Sequence, residues 1–351
     1  YPSLSSPVSV ATDGGQLPRI KKWGNNIYVL NGDNNRNLMF YKSTDNGTTF
    51  ASTILATPVS NSYEYEFSMD TNGCLYAIWE SANDSQMYIR RSLDGGITWS
   101  SAASVANGFG WMDNPSGYFS NGTLFLLFRG WKNSKIELYL TRSTDYGNTF
   151  STPVQVTDNT IQENTGKIAV FGNNVYVVYF DWDSANTYLV TSLNGGSSFG
   201  SPIQVNRTSG KSGPGSSVGV DLAGNIFVVY SDTTSDGEGD LYVAKSANGG
   251  SSFTYALAAD STYRQQEYPR IFIDANDYVN LLWNDNRDNT SYGSVYYTRS
   301  VDGGASYEAN VNIRSSGGIS NGSLYVDSGI VNIVVGYVST NHLCPWIYLG
   351  V

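Results

Sequence analysis

Apolar residues along this chain fall in short runs: NIYVL (26–30), LYAIW (75–79), LFLLF (124–128), VYVVYF (175–180), IFVVY (226–230) and VNLLW (279–283). The runs are regularly broken by Gly, Asn, Asp and Ser, the punctuation of short strands joined by tight turns. A weaker apolar segment precedes each run, as in PRIKKW (18–23), EFSMD (66–70), KIAVF (167–171), SVGVD (217–221) and PRIFID (269–274). A third segment follows: LMFYKS, MYIRRS, LYLTRS, YLVTS, LYVAKS and VYYTRS. A fourth, such as STPVQV (151–156) or SPIQV (201–205), ends each period. The pattern predicts four strands per repeat and no helix. The longest apolar run, GIVNIVVGYV (329–338), contains an Asn and is about half the ~20 residues of a membrane-spanning helix.

The period is marked by six octapeptides: STDNGTTF (43–50), SLDGGITW (92–99), STDYGNTF (143–150), SLNGGSSF (192–199), SANGGSSF (246–253) and SVDGGASY (300–307), 49 to 54 residues apart. An Asp or Asn side chain accepts from backbone N–H groups just after it, and Gly supplies positive φ, so each predicts a tight turn between strands three and four. The closing Phe, Trp or Tyr is expected to anchor the turn. Asp45, Asp94, Asp145 and Asp302 alternate with Asn194 and Asn248. Asn keeps the acceptor and lacks the charge, which points to a structural role and not a metal site. The octapeptides resemble the Asp box, or BNR repeat, of the sialidase-like β-propellers.

Four strands per period make one propeller blade. After the sixth box and its last strand the chain supplies SLYVD (323–327), NIVVGYV (332–338) and CPWIYL (344–349), three strands without a fourth. SSPVSV (5–10) has the form of a fourth strand with no blade before it. The expected fold is therefore all-β, a seven-bladed β-propeller of four-stranded antiparallel blades. Its N-terminal strand, 5–10, completes the last blade, 316–351, and removes an exposed edge. A six-bladed ring with a C-terminal extension is the alternative. Residues 1–351 then form a single domain.

Composition narrows the partners. The 351 residues carry a net charge of −10, unfavourable for a nucleic-acid partner. Cys74 and Cys344 fall in different predicted blades and are expected to be unpaired core residues. The chain opens at Tyr1 without Met and holds six Asn-x-Ser/Thr sites, at Asn46, Asn83, Asn121, Asn206, Asn289 and Asn321. The opening fits a processed secretory protein or a trimmed chain, and the expected location is extracellular or at a cell surface. With a single histidine, His342, and two separated cysteines, zinc is not expected. There is no Gly-rich phosphate loop and no nucleophile elbow. No cofactor is required. Asp232, Asp236, Glu238 and Asp240 in DTTSDGEGD are a weak candidate for Ca²⁺, with a solvated acidic turn as the plainer reading.

Opposite the boxes lie the loops between strands two and three and the starts of strand one, a natural place for a ligand. Alignment puts Arg19, Glu66, Pro115, Lys167, Ser217, Arg270 and Ser323 at one inner-strand position. They are either an anion-binding mouth or charges that satisfy each other, with Glu66 paired to Arg19. The loops add Asp33, Arg36, Glu80, Arg129, Trp131, Asp181, Trp182, Asp183, Asp285 and Arg287, and FGWMDNP brings Trp111 to the same side. Indole rings beside carboxylates and guanidinium groups suit sugars, whose C–H faces stack on the ring while hydroxyls bond to the charges.

The resemblance implies a sharper possibility. Sialidases hold the sugar carboxylate with three arginines and use a Tyr/Glu nucleophile pair with an Asp acid-base. Arg19 and Arg270 would be two of the three, with Arg287 or Arg129 the third. Glu66, Tyr268 and Tyr337 are candidates by location. The family's Arg-Ile-Pro is inverted here to Pro-Arg-Ile, and no segment reproduces its Asp loop. The reading is therefore a glycan-recognising or surface-interaction propeller whose partners are glycans or cell-surface proteins. The alternative is an exo-sialidase or another glycoside-cleaving enzyme.

Overall fold

The computed structural model describes residues 8–11, 17–60, 65–158, 166–233, 239–260, 266–287, 293–314, 318–327, 330–338 and 343–349. These form seven four-stranded antiparallel sheets, the blades of a seven-bladed β-propeller. No helix long and apolar enough to cross a membrane occurs among them. The chain divides into two compact units, Tyr1–Thr160 with Asn332–Val351, and Ile161–Val331.

The first unit holds blade one (Arg19–Trp23, Asn26–Gly32, Leu38–Ser43, Ala51–Ala56), blade two (Tyr65–Met69, Leu75–Glu80, Met87–Ser92, Ala103–Ser104) and blade three (Trp111–Ser120, Thr123–Lys132, Lys135–Ser143, Val154–Gln155). It also holds the pairing predicted between the two ends of the chain. Val8 lies opposite Ile347 and Ser9 opposite Trp346, and the last strand, Leu343–Leu349, pairs in turn with Ile330–Val338. The N-terminal segment thus completes blade seven as its fourth strand. The second unit holds blade four (Lys167–Phe171, Asn174–Asp181, Asn186–Ser192, Ile203–Gln204), blade five (Ser212–Val220, Ile226–Asp232, Asp240–Ser246, Thr254–Ala259) and blade six (Gln266–Ile273, Val279–Asp285, Ser294–Ser300, Val311–Arg314).

Strand two of each blade is covered on both faces, which is why its sequence is a continuous apolar run and not an alternation. Ile27–Leu30, Leu75–Ile78 and Leu126–Phe128 are all fully buried. One cluster joins Tyr28, Leu30 and Phe40 of blade one to Phe67, Leu75 and Trp79 of blade two. A second joins Tyr76, Ile78 and Ile89 to Leu126, Phe128 and Tyr139 of blade three. A third, in the other unit, joins Phe227 and Val229 of blade five to Leu281 and Trp283 of blade six. Each such side chain contributes roughly 1.5–3 kcal/mol on burial.

The six boxes close alike. In blade three the Ser143 hydroxyl donates to Asp145 Oδ1 at 2.7 Å and accepts from the Gly147 N–H at 2.8 Å. Asp145 also accepts from the Thr149 N–H and hydroxyl. Where Asn stands instead, the closing bond reverses: Asn194 and Asn248 donate their amide N–H to Ser198 and Ser252 at 2.8 Å. The Thr49 hydroxyl and N–H pull Asp45 down to about 2, and the Ser306 hydroxyl and N–H do the same to Asp302. Thr98 and Thr149 likewise hold Asp94 and Asp145 well below the usual carboxylate range.

Ties run from blade to blade. The box aromatics pack at the joints: Trp99 meets Phe40 of blade one edge-on at 5.0 Å, Phe150 packs against the cluster shared by blades two and three, and Tyr307 against the cluster shared by blades five and six. In blades two and five the cation before the box reaches forward. Arg91 donates to the Asp145 and Tyr146 carbonyls and to Asn148 of the next box, and Lys245 donates to the Gly303 carbonyl. Cys74 is a buried free thiol.

Candidate functional site

At the end away from the boxes, the turns between strands two and three follow no single rule. Four carry an Asp at the same register, Asp33, Asp181, Asp232 and Asp285, all buried. Asp33 accepts from the Asn35 and Asn37 N–H groups, and Asp181 from the Asp183 N–H and Ser184 hydroxyl. Asp285 accepts from Trp283 Nε1 and from the Arg287 N–H and guanidinium. Asp232 lies 3.5 Å from Arg207 Nε. The carboxylates of Asp33, Asp181 and Asp285 are consumed in holding their own turns.

Blade three departs from this. Gly130 replaces the Asp, and its hairpin runs on through Trp131 and Lys132 to a two-residue turn, Asn133–Ser134, with both φ values positive. Opposite, one extra residue is inserted between Asp113 and Ser116, with Asn114 at φ 51. Such a bulge re-aims the side chains beside it. Asp113 faces Arg129 and Trp111 faces Trp131. Arg129 Nε donates to Asp113 Oδ1 at 2.8 Å, and Arg129 Nη2 pairs with Oδ2. The same guanidinium stands 5.3 Å from the Trp111 ring. Trp131 is 43% exposed and lies against Gly110, where a Cβ would fall 2.0 Å from its ring. Thus Trp111, Arg129 and Trp131 come together, with Asp113 as a fourth member that sequence reading passed over. The cue was Asp113 two residues after Trp111 in a strand opposite FRGW.

The inner-strand residues align as expected, with one correction. Register places Arg19, Glu66 and Ser116 at one position of the first unit and Lys167, Ser217 and Arg270 at that position of the second. Ser116 takes the place assigned to Pro115 because the bulge shifts the count by one. Arg19 and Glu66 form no ion pair with each other. Arg19 Nη1 donates to the Leu17 carbonyl at 2.9 Å, its guanidinium lies 5.8 Å from the Tyr65 ring, and its Nε is buried without an acceptor. Glu66 instead lies near Lys21; burial pushes the Lys21 ammonium down, Glu66 opposes this, and Arg19 adds to it. Sequence reading did not single out Lys21, although Arg-x-Lys on an alternating strand puts both cations on one face.

Three residues just before this position share a strained backbone: Leu17 at φ 62, Asn114 at φ 51 and Tyr268 at φ 52, each followed by Pro. Non-glycine residues are uncommon there, and such strain collects at functional sites. Tyr268 is 45% exposed and backs onto Gly215, where a Cβ would fall 3.1 Å from the Tyr268 Cα. Burial raises the Tyr268 phenol and neighbouring Glu267 raises it further, so the phenol keeps its proton at neutral pH. Burial also raises the Glu267 carboxyl. Arg287 is held by Asp285 and stands 4.5 Å from the Tyr296 ring. Trp182 is 52% exposed and meets Phe180 edge-on. Asp236, Glu238 and His342 lie outside the described residues, as does the side chain of Tyr337. Among the described residues no three His, Cys, Asp or Glu side chains are grouped to hold a metal ion.

Seven four-stranded blades closed by six boxes define an Asp-box β-propeller. The chain belongs to the BNR repeat-like family, whose model matches residues 5–281. No curated relative matches it by sequence. Among solved structures it resembles a polysaccharide lyase, an ulvan lyase bound to -[GlcA(1-4)Rha3S]-, at TM-score 0.70 and 12% identity over 98% of this chain and 96% of that one. It also resembles a Hadza microbial sialidase, at TM-score 0.59 and 14% identity over 92% and 73%. A third similar structure is a Penicillium chrysogenum α-L-arabinanase complexed with arabinobiose, at 0.54 and 14% over 80% and 94%. At these identities the likeness is one of fold.

Proposed function

We propose that this propeller recognises glycans at the end of its blades that carries the turns between strands two and three, with the blade-three ledge as the main contact. The observation that carries this reading is the partly exposed Trp131, set against Gly110 beside the Asp113–Arg129 pair. An indole face takes the C–H face of a sugar, and a carboxylate beside a guanidinium takes its hydroxyls. The similar solved proteins include a lyase bound to a uronate-bearing saccharide and an arabinanase bound to arabinobiose, which supports this chemistry without assigning it. The test is a glycan array followed by titration of the best ligand into wild type and Trp131→Ala. A loss of tenfold or more with an unchanged melting temperature is expected; equal binding by the variant removes the ledge from the site.

A second reading, cleavage of the glycan, is favoured by Tyr268, an exposed phenol on strained backbone two residues before Arg270. Because its proton is retained, Tyr268 suits proton donation better than attack. Wild type, Tyr268→Phe and Arg270→Ala are compared on a fluorogenic α-sialoside and on ulvan. Turnover abolished by either change makes the protein an enzyme; no turnover at high protein concentration ends this reading. An extracellular or cell-surface location belongs to the same proposal. Asn121 is exposed, whereas Asn206 is buried and donates to Asn186 and Thr208. Secretory expression should therefore add a glycan that Asn121→Gln removes and Asn206→Gln does not; unmodified protein would contradict it.

A further inference from the structure

The third strands of the box-bearing blades place a neutral, buried residue two positions before the box serine: Tyr41, Thr141, Val190, Ala244 and Thr298. Two of these serve the sheet. Thr141 and Thr298 donate their hydroxyls to the Ser151 and Glu308 carbonyls at 2.6 Å. In blade two this position is Arg90. Its neighbour Arg91, on the opposite face of the strand, is fully engaged by the blade-three box. Arg90 has no ion pair or hydrogen bond among the described residues, and its Nε is buried without an acceptor. A charged group that is partly desolvated and lacks a counter-charge is costly to keep, so the repeat is broken here at the expense of stability.

Arg90 lines a cleft of about 480 Å³ between blades one and two, within the range of roughly 300–1,000 Å³ for small-molecule sites. One wall is the end of the outer strand of blade one with Ile54, Ala56 and Pro58; Ile54 is 53% exposed. The other is Trp79 and Tyr88 of blade two, stacked at 6.1 Å. At one end Asp84 accepts the Tyr88 hydroxyl at 2.6 Å and the Gln86 N–H at 3.1 Å. Slight burial works against the Asp84 charge, but these two donors hold its carboxyl below the usual range. An apolar floor, a fixed carboxylate and a guanidinium without a partner therefore share one recess.

We infer that this cleft is a second binding site, taking a carboxylated sugar residue. The sugar carboxylate supplies the counter-charge Arg90 lacks, in the forked geometry guanidinium favours. The ring's C–H face covers Ile54 and Tyr88, and its hydroxyls reach Asp84 and Asn83. The inference does not depend on the blade-three ledge, so it is tested in a Trp131→Ala background, where that contact is gone. Digalacturonate is titrated with Trp fluorescence as readout, and neutral galactobiose serves as the comparison. Saturable millimolar binding is expected for digalacturonate, about tenfold weaker for galactobiose, and weakened about tenfold or more by Arg90→Gln and by Ile54→Asp. Ile54 is exposed, so its variant tests the cleft even if Arg90→Gln fails to fold. Equal affinity for the neutral sugar, no saturable binding of digalacturonate, or binding untouched by Ile54→Asp would each overturn the assignment.

Discussion

The two ends of the blades are built by opposite rules. At the box end, six turns of one length close with the same serine, the same acceptor and a half-buried aromatic, and even the Asn copies restore the bond with donor and acceptor exchanged. At the other end, the Asp of Asp33, Asp181 and Asp285 secures three turns, Ser81 stands in blade two, and blade three discards the cap for a longer hairpin. Uniform chemistry marks the end that holds blades together. Broken repetition marks the end free to meet something else.

That contrast can be tested by insult to each end. The largest effect is expected from Trp99→Ala, which removes the ring packed on Phe40 and should cost about 3 kcal/mol in urea unfolding. Next comes Ser143→Ala, which strips the Gly147 N–H of its buried acceptor and should cost about 1–2 kcal/mol. Acid comes third. Asp45 and Asp302 have folded values near 2, below the ordinary 3.8, so the stability they contribute is complete above the ordinary value and is lost as pH falls towards 2. The Asp45→Asn, Asp302→Asn double variant should therefore lose less stability than wild type between pH 4 and pH 2, read as urea midpoints; parallel curves would mean these turns do not carry the acid limb. Smallest in stability is Trp131→Ala, expected within about 0.5 kcal/mol of wild type while weakening glycan binding at the ledge tenfold or more. A large stability loss there would make Trp131 part of the framework and erase the distinction between the two ends.

The box end was legible from sequence because its determinants sit within eight residues of one another. Blade count and closure followed from the same phase, and Val8 opposite Ile347 bears them out. The other end resisted because its determinants are distant or local to one blade. Pro115 for Ser116 was a one-residue error produced by an insertion that strand patterns do not reveal. The Asp113–Arg129 pair spans sixteen residues across that same insertion. Asp33, Asp181 and Asp285 read as open acidic groups because nothing in their identity shows that their own turns occupy them. Arg90 was visible all along as the odd residue in MYIRRS, but its meaning depends on a wall supplied by Ile54 of another blade.

The forward reach of Arg91 and Lys245, with Trp99, Phe150 and Tyr307 packed into the shared clusters, gives the joints among blades one to three and between blades five and six fittings of one form. A copied stretch that begins and ends at such joints would carry both fittings, whereas a stretch cut mid-period would leave one fitting unmatched. Length gained or lost by whole periods at those joints would leave them matched, and the loops opposite the boxes can diverge without disturbing them.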